Sequence, residues 1–396
     1  MDTTTRKLSL SLLTLSTLIS PLAIADVTTI SSGVSQALSD SKVGLTFRAR
    51  EEYVDQDGID DAAHALTIKS RMTITTGAYS NFSFGLEVDN VSALVDNYNS
   101  TQNGNVNYPL VVDPTGTDVN QGYLQYKNNN FTSVVGRQRI THNNQRFVGG
   151  VAWRQNEQTY DGARFLYQIN ALSFDYSYVN NINNIKAQNV TGDFHLANLG
   201  YQLNDNHKVS AFTYLLDYNA QSNAKLSTST FGALYNGKFG PVFVNASLAS
   251  QSDAGNNPTS FTANYINAEV GSTFGKVTVL GGYELLGSDN SVAFSTPLAT
   301  LHKFQGFADK FLNTPADGVQ DIYITVKGAI ADIKLSATYH DLSADVGGQH
   351  WGSEIDLVAA YTINKNYSVL AKFANYNADE YATDTNKLWL QLSAKF

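Results

Sequence analysis

The last ten residues of the chain alternate strictly between apolar and polar positions, and the chain ends on an aromatic residue. One set of alternate positions is apolar and comprises Leu388, Leu390, Leu392, Ala394 and Phe396. The other set comprises Lys387, Trp389, Gln391, Ser393 and Lys395. Successive side chains of a β-strand point to opposite faces, so this pattern predicts a strand that needs an apolar partner on one face.

The same period of two recurs along the chain and predicts an all-β fold of about eighteen strands. The alternation is clear in 82–90 and 352–363, whereas the facing of 131–139 and 207–218 is ambiguous. The predicted strands span 42–53, 64–76, 82–90, 119–127, 131–139, 158–168, 172–180, 194–202, 207–218, 227–237, 242–252, 264–274, 276–286, 318–327, 333–343, 352–363, 367–378 and 386–396.

The connections between these strands alternate between tight turns and longer loops. The tight turns lie near residues 77–81, 128–130, 169–171, 203–206, 238–241, 274–275, 328–332 and 364–366. The longer loops span 54–63, 91–118, 140–157, 181–193, 219–226, 253–263, 287–317, 344–351 and 379–385. This asymmetry is typical of a transmembrane antiparallel β-barrel with short periplasmic turns and long extracellular loops.

A barrel of eighteen strands encloses a lumen that is too wide for strand side chains alone to fill. We therefore expect a water-filled channel that is narrowed by inward-folded loops. Segments 91–118, 140–157 and 287–317 are long enough to fold in. Closure of the sheet is expected because lipid offers no hydrogen-bond partner to an open strand edge.

The N-terminal residues have the pattern of a secretory signal peptide. Arg6 and Lys7 precede an apolar run from Leu8 to Ile19, and Ala23-Ile24-Ala25 is a small-residue cleavage site. The apolar run is too short for a membrane-spanning helix. We expect a signal peptide over 1–25, cleaved after Ala25, a periplasmic segment over 26–41, and the transmembrane barrel over 42–396. Whether 26–41 plugs the periplasmic mouth or hangs free is open.

Together, an export signal and a final strand ending in Phe396 resemble the closing strand of bacterial outer-membrane β-barrels. The alternative is the edge strand of a secreted β-sandwich. The resemblance implies residence in the outer membrane of a Gram-negative bacterium, among membrane lipid and lipopolysaccharide. It also implies recognition of the C-terminal strand by the barrel-assembly machinery.

Composition limits the other possible functions. The chain has no cysteine, so it offers no disulfides and no thiolate metal ligands. Its formal net charge of −9 argues against nucleic acid as a partner. Mean hydropathy is −0.22 although 11% of residues are aromatic. A barrel combines these properties because only every second strand residue meets lipid and aromatic rings gather at the two interfaces.

The arginines are distributed unevenly. Beyond the predicted signal peptide, every arginine lies between Arg48 and Arg164. A guanidinium remains charged at any relevant pH and binds carboxylates with two hydrogen bonds, so a wall of such groups would attract and orient anions. The candidate pore-lining or solute-binding residues are Arg48, Arg50, Lys69, Arg71, Arg137, Arg139, Arg146, Arg154, Asp161 and Arg164.

The alternative is that these arginines pair with nearby acids, Arg164 with Asp161 for example, and serve only to satisfy the lumen. Acidic residues occupy predicted inward positions in both early and later strands, and because the arginines are confined to the early strands the later wall is more acidic. These acidic residues are Glu87, Asp89, Asp161, Asp175, Glu269, Glu284, Glu354 and Asp356.

Four segments carry a resemblance to a known family. They are Gly136-Arg137-Gln138 with Arg146-Phe147-Val148-Gly149, Trp153-Arg154 and Thr159-Tyr160-Asp161-Gly162; 304–321 with Ala308-Asp309-Lys310-Phe311; 45–53; and 67–71. In these features the chain resembles the alginate-export family of outer-membrane porins. The resemblance implies an eighteen-stranded barrel and passage of uronate polymers or other anionic or sugar-like solutes through an arginine-lined constriction. It assigns that constriction to Arg137, Arg146, Arg154 and Asp161.

The chain departs from the family expectation in its charge. A polyanion exporter should have a strongly basic pore, whereas here the arginines fill one side and the protein is net acidic. Passive diffusion of small anions or oligosaccharides, such as uronate oligosaccharides, therefore fits better than polymer export. The alternatives are a general non-selective porin, a structural or surface glycan-binding barrel, and a barrel hydrolase.

No catalytic motif or cofactor-binding motif is recognisable, and we expect neither catalysis nor a cofactor. Asp55, Asp57, Asp60 and Asp61 surround a glycine as in a fragment of a calcium loop. The bidentate glutamate that would complete such a loop is missing, so a solvated loop tip is the preferred interpretation.

Overall fold

The computed structural model describes residues 27–396, and within them eighteen strands form one closed antiparallel barrel. Each strand pairs with its neighbours in sequence, and the first barrel strand pairs with the last. The barrel strands are β1 (Lys42–Gln56), β2 (Ala63–Thr75), β3 (Phe82–Asn97), β4 (Gly116–Asn128), β5 (Phe131–Gln138), β6 (Thr159–Ile169), β7 (Leu172–Asn183), β8 (Asn189–Asn204), β9 (His207–Tyr218), β10 (Thr228–Phe239), β11 (Val242–Asp253), β12 (Thr262–Phe274), β13 (Val277–Leu286), β16 (Val319–Ile330), β17 (Ile333–Ser343), β18 (His350–Thr362), β19 (Tyr367–Ala378) and β20 (Thr385–Lys395).

The remaining elements are small. A two-residue hairpin, β14 (Ser288–Asp289) and β15 (Val292–Ala293), lies in the loop after β13. Two short 3₁₀ helices span Gln221–Leu226 and Leu301–Lys303. Within residues 27–396, one α-helix, α1 (Val27–Ser39), precedes the barrel. Among the described residues, no helix is long and apolar enough to cross a membrane.

The alternation in the final strand produces the predicted two faces. Leu388, Leu390 and Leu392 are 41%, 53% and 48% exposed on the outer wall, whereas Trp389 is fully buried on the inner side. The apolar set of this strand therefore faces outward, as a lipid-embedded barrel requires, and the set that contains Lys387 and Trp389 faces the lumen. The predicted fold class and strand count are confirmed.

The connections confirm the predicted asymmetry of the two ends. One end carries the turns 76–81, 129–130, 170–171, 205–206, 240–241, 275–276, 331–332 and 363–366. The other end carries the loops 57–62, 98–115, 139–158, 184–188, 219–227, 254–261, 287–318, 344–349 and 379–384. Hereafter these are the short-turn end and the long-loop end. Length alone does not separate them, because turn 76–81 is longer than loop 184–188.

Helix α1 packs against the turn between β2 and β3. The backbone N–H of Gly77 donates to the Ala37 carbonyl oxygen at 2.8 Å. A Cβ at Gly33 would lie 2.3 Å from the Tyr79 ring, so any larger residue would displace this ring. The segment expected to be either a plug or a free arm is thus a helix docked at the short-turn end. The predicted signal peptide lies outside the described residues.

Candidate channel constriction

Three long loops, 98–115, 139–158 and 287–318, fold into the barrel and contact its inner wall. Arg48 on β1 donates to the carbonyl oxygens of Ala152 at 2.9 Å and Arg154 at 2.5 Å, although loop 139–158 begins and ends on β5 and β6. The loops also contact one another, because the Gly149 N–H donates to the Leu298 carbonyl at 2.8 Å. These are the three loops that were predicted to be long enough to narrow the lumen.

Asp113 in loop 98–115 lies at the centre of a buried ion cluster. It accepts hydrogen bonds from Arg50 at 2.6 Å and from Arg154 at 3.1 and 2.9 Å. Arg154 also donates to Glu52, and the Gln155 N–H reaches Asp113 at 2.7 Å. Burial alone would raise the pKa of Asp113, but the two guanidiniums hold it below its usual range.

Glu157, at the end of loop 139–158, is the centre of a second cluster. It contacts Lys69 at 3.4 Å, Arg71 at 2.9 Å, and Arg139. Burial opposes ionisation of Glu157, yet the three cations hold the pKa of its carboxyl below the ordinary range. The same cations contact two further carboxylates, on Glu87 and Asp89. Three cations and three anions make this cluster neutral.

Arg137 and Asp161 form a two-bond pair on neighbouring strands, at 2.8 and 3.1 Å. The glycines beside them explain the sequence motifs. Gly136 has a φ of +118°, and a Cβ there would lie 2.4 Å from the Gly122 carbonyl oxygen. A Cβ at Gly162 would lie 2.1 Å from the Tyr178 carbonyl oxygen. Both positions need glycine to bring the adjacent strands together beside the ion pair.

Arg164 pairs with Asp175, at 2.9 and 2.5 Å, and not with Asp161. The suggested Arg164–Asp161 pair is therefore wrong. The register explains it, because Arg137 lies directly opposite Asp161 and its guanidinium occupies that carboxylate. Closeness in sequence along one strand does not reveal such partners, because they lie on the adjacent strand.

Arg146 extends from loop 139–158 to the far wall. It donates to Glu284 on β13 at 2.7 Å and to Thr296 at 2.9 Å. Its guanidinium lies 4.8 Å from the centre of the Phe304 ring. This buried contact fixes the loop to the wall opposite the first two clusters.

Lys372 on β19 inserts between the loops. Its ammonium lies 3.2 Å from the centre of the Phe307 ring and 4.1 Å from that of Trp153. It also lies 2.7 Å from His302 Nε2. One barrel lysine therefore contacts both loop 139–158 and loop 287–318.

Arg48 has no carboxylate partner among the described residues. Besides the two carbonyls, it donates to Gln155 Oε1 at 2.9 Å. It lines a cavity of about 520 Å³ at the short-turn end, hereafter the Arg48 cavity. The other charged residues that line it are Lys69, Arg71, Glu157, Lys365 and Lys395.

All the candidate residues thus lie on the inner wall or on infolded loops. The structure adds partners that the sequence did not identify. They are Glu52, Asp113, Trp153, Glu157, His302 and Lys372. Glu52 lies on the same face of its strand as Arg48 and Arg50, so the alternation of the sequence could have identified it. Asp113, Trp153, Glu157 and His302 lie in loops, where alternation gives no facing.

The four acidic residues of the suggested calcium loop are exposed at the long-loop end. They are Asp55, Asp57, Asp60 and Asp61. Within the described part of the chain, no group of three or more histidine or acidic side chains is arranged to hold a metal ion.

Similar structures support the same architecture. Pseudomonas aeruginosa OccK3 (OpdO) is 14% identical, with a TM-score of 0.72, covering 93% of this chain and 98% of its own. P. aeruginosa OpdK, solved with vanillate, is 13% identical, with a TM-score of 0.71 and coverage of 91% and 99%. P. aeruginosa OccK9 (OpdG) is 15% identical, with a TM-score of 0.70 and coverage of 91% and 100%. These are outer-membrane porins.

No curated protein sequence matches this chain. Residues 40–279, which are more than half of the chain, match the family described as alginate export. That match includes the Gly-Arg-Gln and Asp-Gly strands and the first two infolded loops. The barrel, the infolded loops and the family match all indicate a channel for small solutes in the outer membrane. The chain belongs to the alginate export family of outer-membrane porins.

Proposed function

We propose that the protein is a passive outer-membrane channel that prefers small anionic solutes, with short uronate oligosaccharides as the leading class. The Arg48 cavity carries this proposal. Arg48, Lys365 and Lys395 line it without a carboxylate partner in residues 27–396, beside Lys69 and Arg71, whose charges the Glu157 cluster neutralises. Charges of one sign in a narrow space raise the local concentration of the opposite ion.

The size limit follows from the loops. Loop 139–158 extends from β5 and β6 to Arg48 on β1 and to Glu284 on β13. Loop 287–318 contacts Lys372 on β19. Loops fixed at both walls narrow the lumen, which favours short solutes over long polymers.

The arginines have two roles in this proposal. Arg50, Arg146 and Arg154 are buried in ion pairs and fix the loops. The side chains of Arg137, Arg139 and Arg164 keep 24%, 30% and 16% of their surface exposed. Their remaining donors, with those of Arg48 and Arg71, contact passing anions. OpdK, which has a similar fold, was solved with vanillate, a carboxylate.

Export and assembly complete the proposal. Residues 1–25 act as a signal peptide cleaved after Ala25. The assembly machinery recognises β20, whose outer face is apolar and whose terminal Phe396 N–H donates to the Leu45 carbonyl at 2.8 Å. Lipid and lipopolysaccharide then surround the apolar outer wall.

The test is the reversal potential of the purified channel in a planar bilayer across a potassium chloride gradient. We expect anion preference, and partial blockade when digalacturonate is added. Arg48→Gln should reduce the anion preference. Lys334→Gln is a charge-matched control, since Lys334 lies at the short-turn end outside the Arg48 cavity. A wild-type channel with neither preference nor blockade would be a general porin, and the proposal would be wrong.

A further inference from the structure

A second lumen cavity, of about 590 Å³, lies against the inner wall of β4 to β9 near the short-turn end. Loop 139–158 separates it from the Arg48 cavity. That loop contributes Ala152 and Glu157 to the Arg48 cavity, but His142 and Asn143 to this one. The volume is in the range of small-molecule sites in proteins. We call it the Lys208 cavity.

Uncharged hydrogen-bonding groups dominate its lining. Asn130, Asn143, Asn198, Thr132 and Ser173 contribute side chains or backbone to the wall. Asn198 lies on β8, and its side chain is partly buried in this wall. An amide both donates and accepts, so such a lining matches a ligand rich in hydroxyl groups.

The cavity also carries positive charge that nothing neutralises. Lys127 and Lys208 line it, and neither ammonium lies within 4.0 Å of a carboxylate in residues 27–396. The one acid in the lining, Asp175, is paired with Arg164 at 2.5 Å. A solute in this cavity therefore meets two unpaired cations beside an already neutralised carboxylate.

We infer that the Lys208 cavity is a second solute site, separate from the Arg48 cavity, for a carboxylate carried on a hydroxyl-rich body. Lys127 on β4 or Lys208 on β9 holds the carboxylate, and the amide of Asn143 and the amide oxygen of Asn198 hydrogen-bond the hydroxyls. The inference rests on the proposed function and specifies where an acidic sugar is distinguished from a simple anion. A simple anion needs only the lysines, and a neutral sugar needs only the amides.

The test compares blockade of single-channel current by digalacturonate, by acetate and by maltose. In the Lys127→Gln/Lys208→Gln double variant, digalacturonate affinity should fall about tenfold. The charge-matched control is Lys276→Gln/Lys334→Gln, in which two exposed lysines outside the cavity are replaced. The control should stay within about twofold of the wild type.

Asn198→Ala separates the two halves of the proposed recognition. It should weaken digalacturonate blockade about fivefold and leave the chloride reversal potential unchanged, because no charge is altered. Folding of each variant is checked by heat-modifiable migration on a gel. Wild-type blockade that persists in both cavity variants would overturn the second site while leaving the proposed function standing. Absence of blockade and of anion preference in the wild type would instead overturn the proposed function.

Discussion

Loop 139–158 is held mainly by ion pairs on one side of the lumen and, beside the Arg146–Glu284 pair, mainly by aromatic packing on the other. Towards β1, β2 and β3 its residues make ion pairs, Arg154 with Glu52 and Glu157 with Lys69. Towards β9 and β12 the loop inserts Phe147, whose ring centre lies 4.6 Å from that of Phe212 and 5.1 Å from that of Tyr265. We call these the ionic side and the aromatic side.

The difference explains where solute can pass. Aromatic packing fills volume and excludes water, so the aromatic side closes its part of the lumen. Ion pairs fix direction and distance but leave donors for water and solutes at their exposed edges. Both lumen cavities are lined by charged or amide side chains rather than by the aromatic cluster around Phe147.

The largest expected effect comes from breaking the ionic side at its buried centre. Arg154→Leu leaves Asp113 and Glu52 as buried carboxylates, with Arg50 as the remaining close cation. Removing one partner of a buried pair costs about 3–5 kcal/mol. The free energy of unfolding in urea, in detergent micelles at pH 7, should fall by that amount.

Arg137→Leu is the matched control for that change. Its pair with Asp161 is about a quarter exposed on both sides, so water replaces the lost guanidinium. Its loss should cost about 1 kcal/mol or less. Equal losses in the two variants would show that the Asp113 cluster does not anchor the loop.

The aromatic side should respond almost as strongly but with a different salt dependence. Phe147→Ala removes a ring that contacts Phe212, Tyr214, Tyr265 and Phe294. A buried Phe-to-Ala change costs about 3 kcal/mol. The loss of unfolding free energy should be the same in low and high salt, because no charge is involved. A strongly salt-dependent loss would contradict the aromatic assignment.

The strands were predictable because lipid on one side and water on the other impose a period of two. β9 shows where this rule weakens. Phe212, Tyr214, Leu216 and Tyr218 are buried on its inner face, while Leu215 is exposed outside. Both faces are apolar, so the sequence alone left its facing ambiguous. The aromatic side of the lumen was therefore not predicted.

The ion clusters were only half predictable. Arg48, Arg50 and Arg71 were predicted to line the pore, and they lie on the inner wall. Their partners Asp113 and Glu157 come from loops, whose position depends on tertiary packing and not on periodicity. Most of the arginines that were predicted to line the pore are consequently ion-paired. In residues 27–396, Arg48 is the arginine that has no carboxylate partner.

A smaller effect is expected where the two infolded loops meet. Lys372→Met keeps the length of the side chain but removes the charge that contacts Phe307, Trp153 and His302. A desolvated cation–π contact is worth about 2 kcal/mol. Open-channel current should become noisier as loop 287–318 loosens. Lys276→Met, on an exposed turn, should leave the current noise unchanged. Quiet current in Lys372→Met would rule out this anchoring role.

The smallest expected effect is a pH dependence that distinguishes the docking of loop 287–318 from the ionic side. Burial lowers the pKa of His302 to about 3; Lys372 also lowers it, and Asp309 opposes the shift. When loop 287–318 is undocked, His302 has an ordinary pKa near 6.5. It then binds a proton at pH values where the docked residue stays neutral. Docking of loop 287–318 should therefore weaken as pH falls below about 6.5, by about 1.4 kcal/mol per pH unit at most.

The ionic side should not respond in that window. Glu157 has a lowered pKa, so its contribution is complete above the ordinary glutamate value of about 4.3 and is lost only in stronger acid. Current noise recorded from pH 7 to pH 5 should rise in the wild type and stay flat in His302→Gln. An equal rise in both would assign the pH response to groups other than His302. A rise that begins only below about pH 4 would place it on the carboxylates of the ionic side.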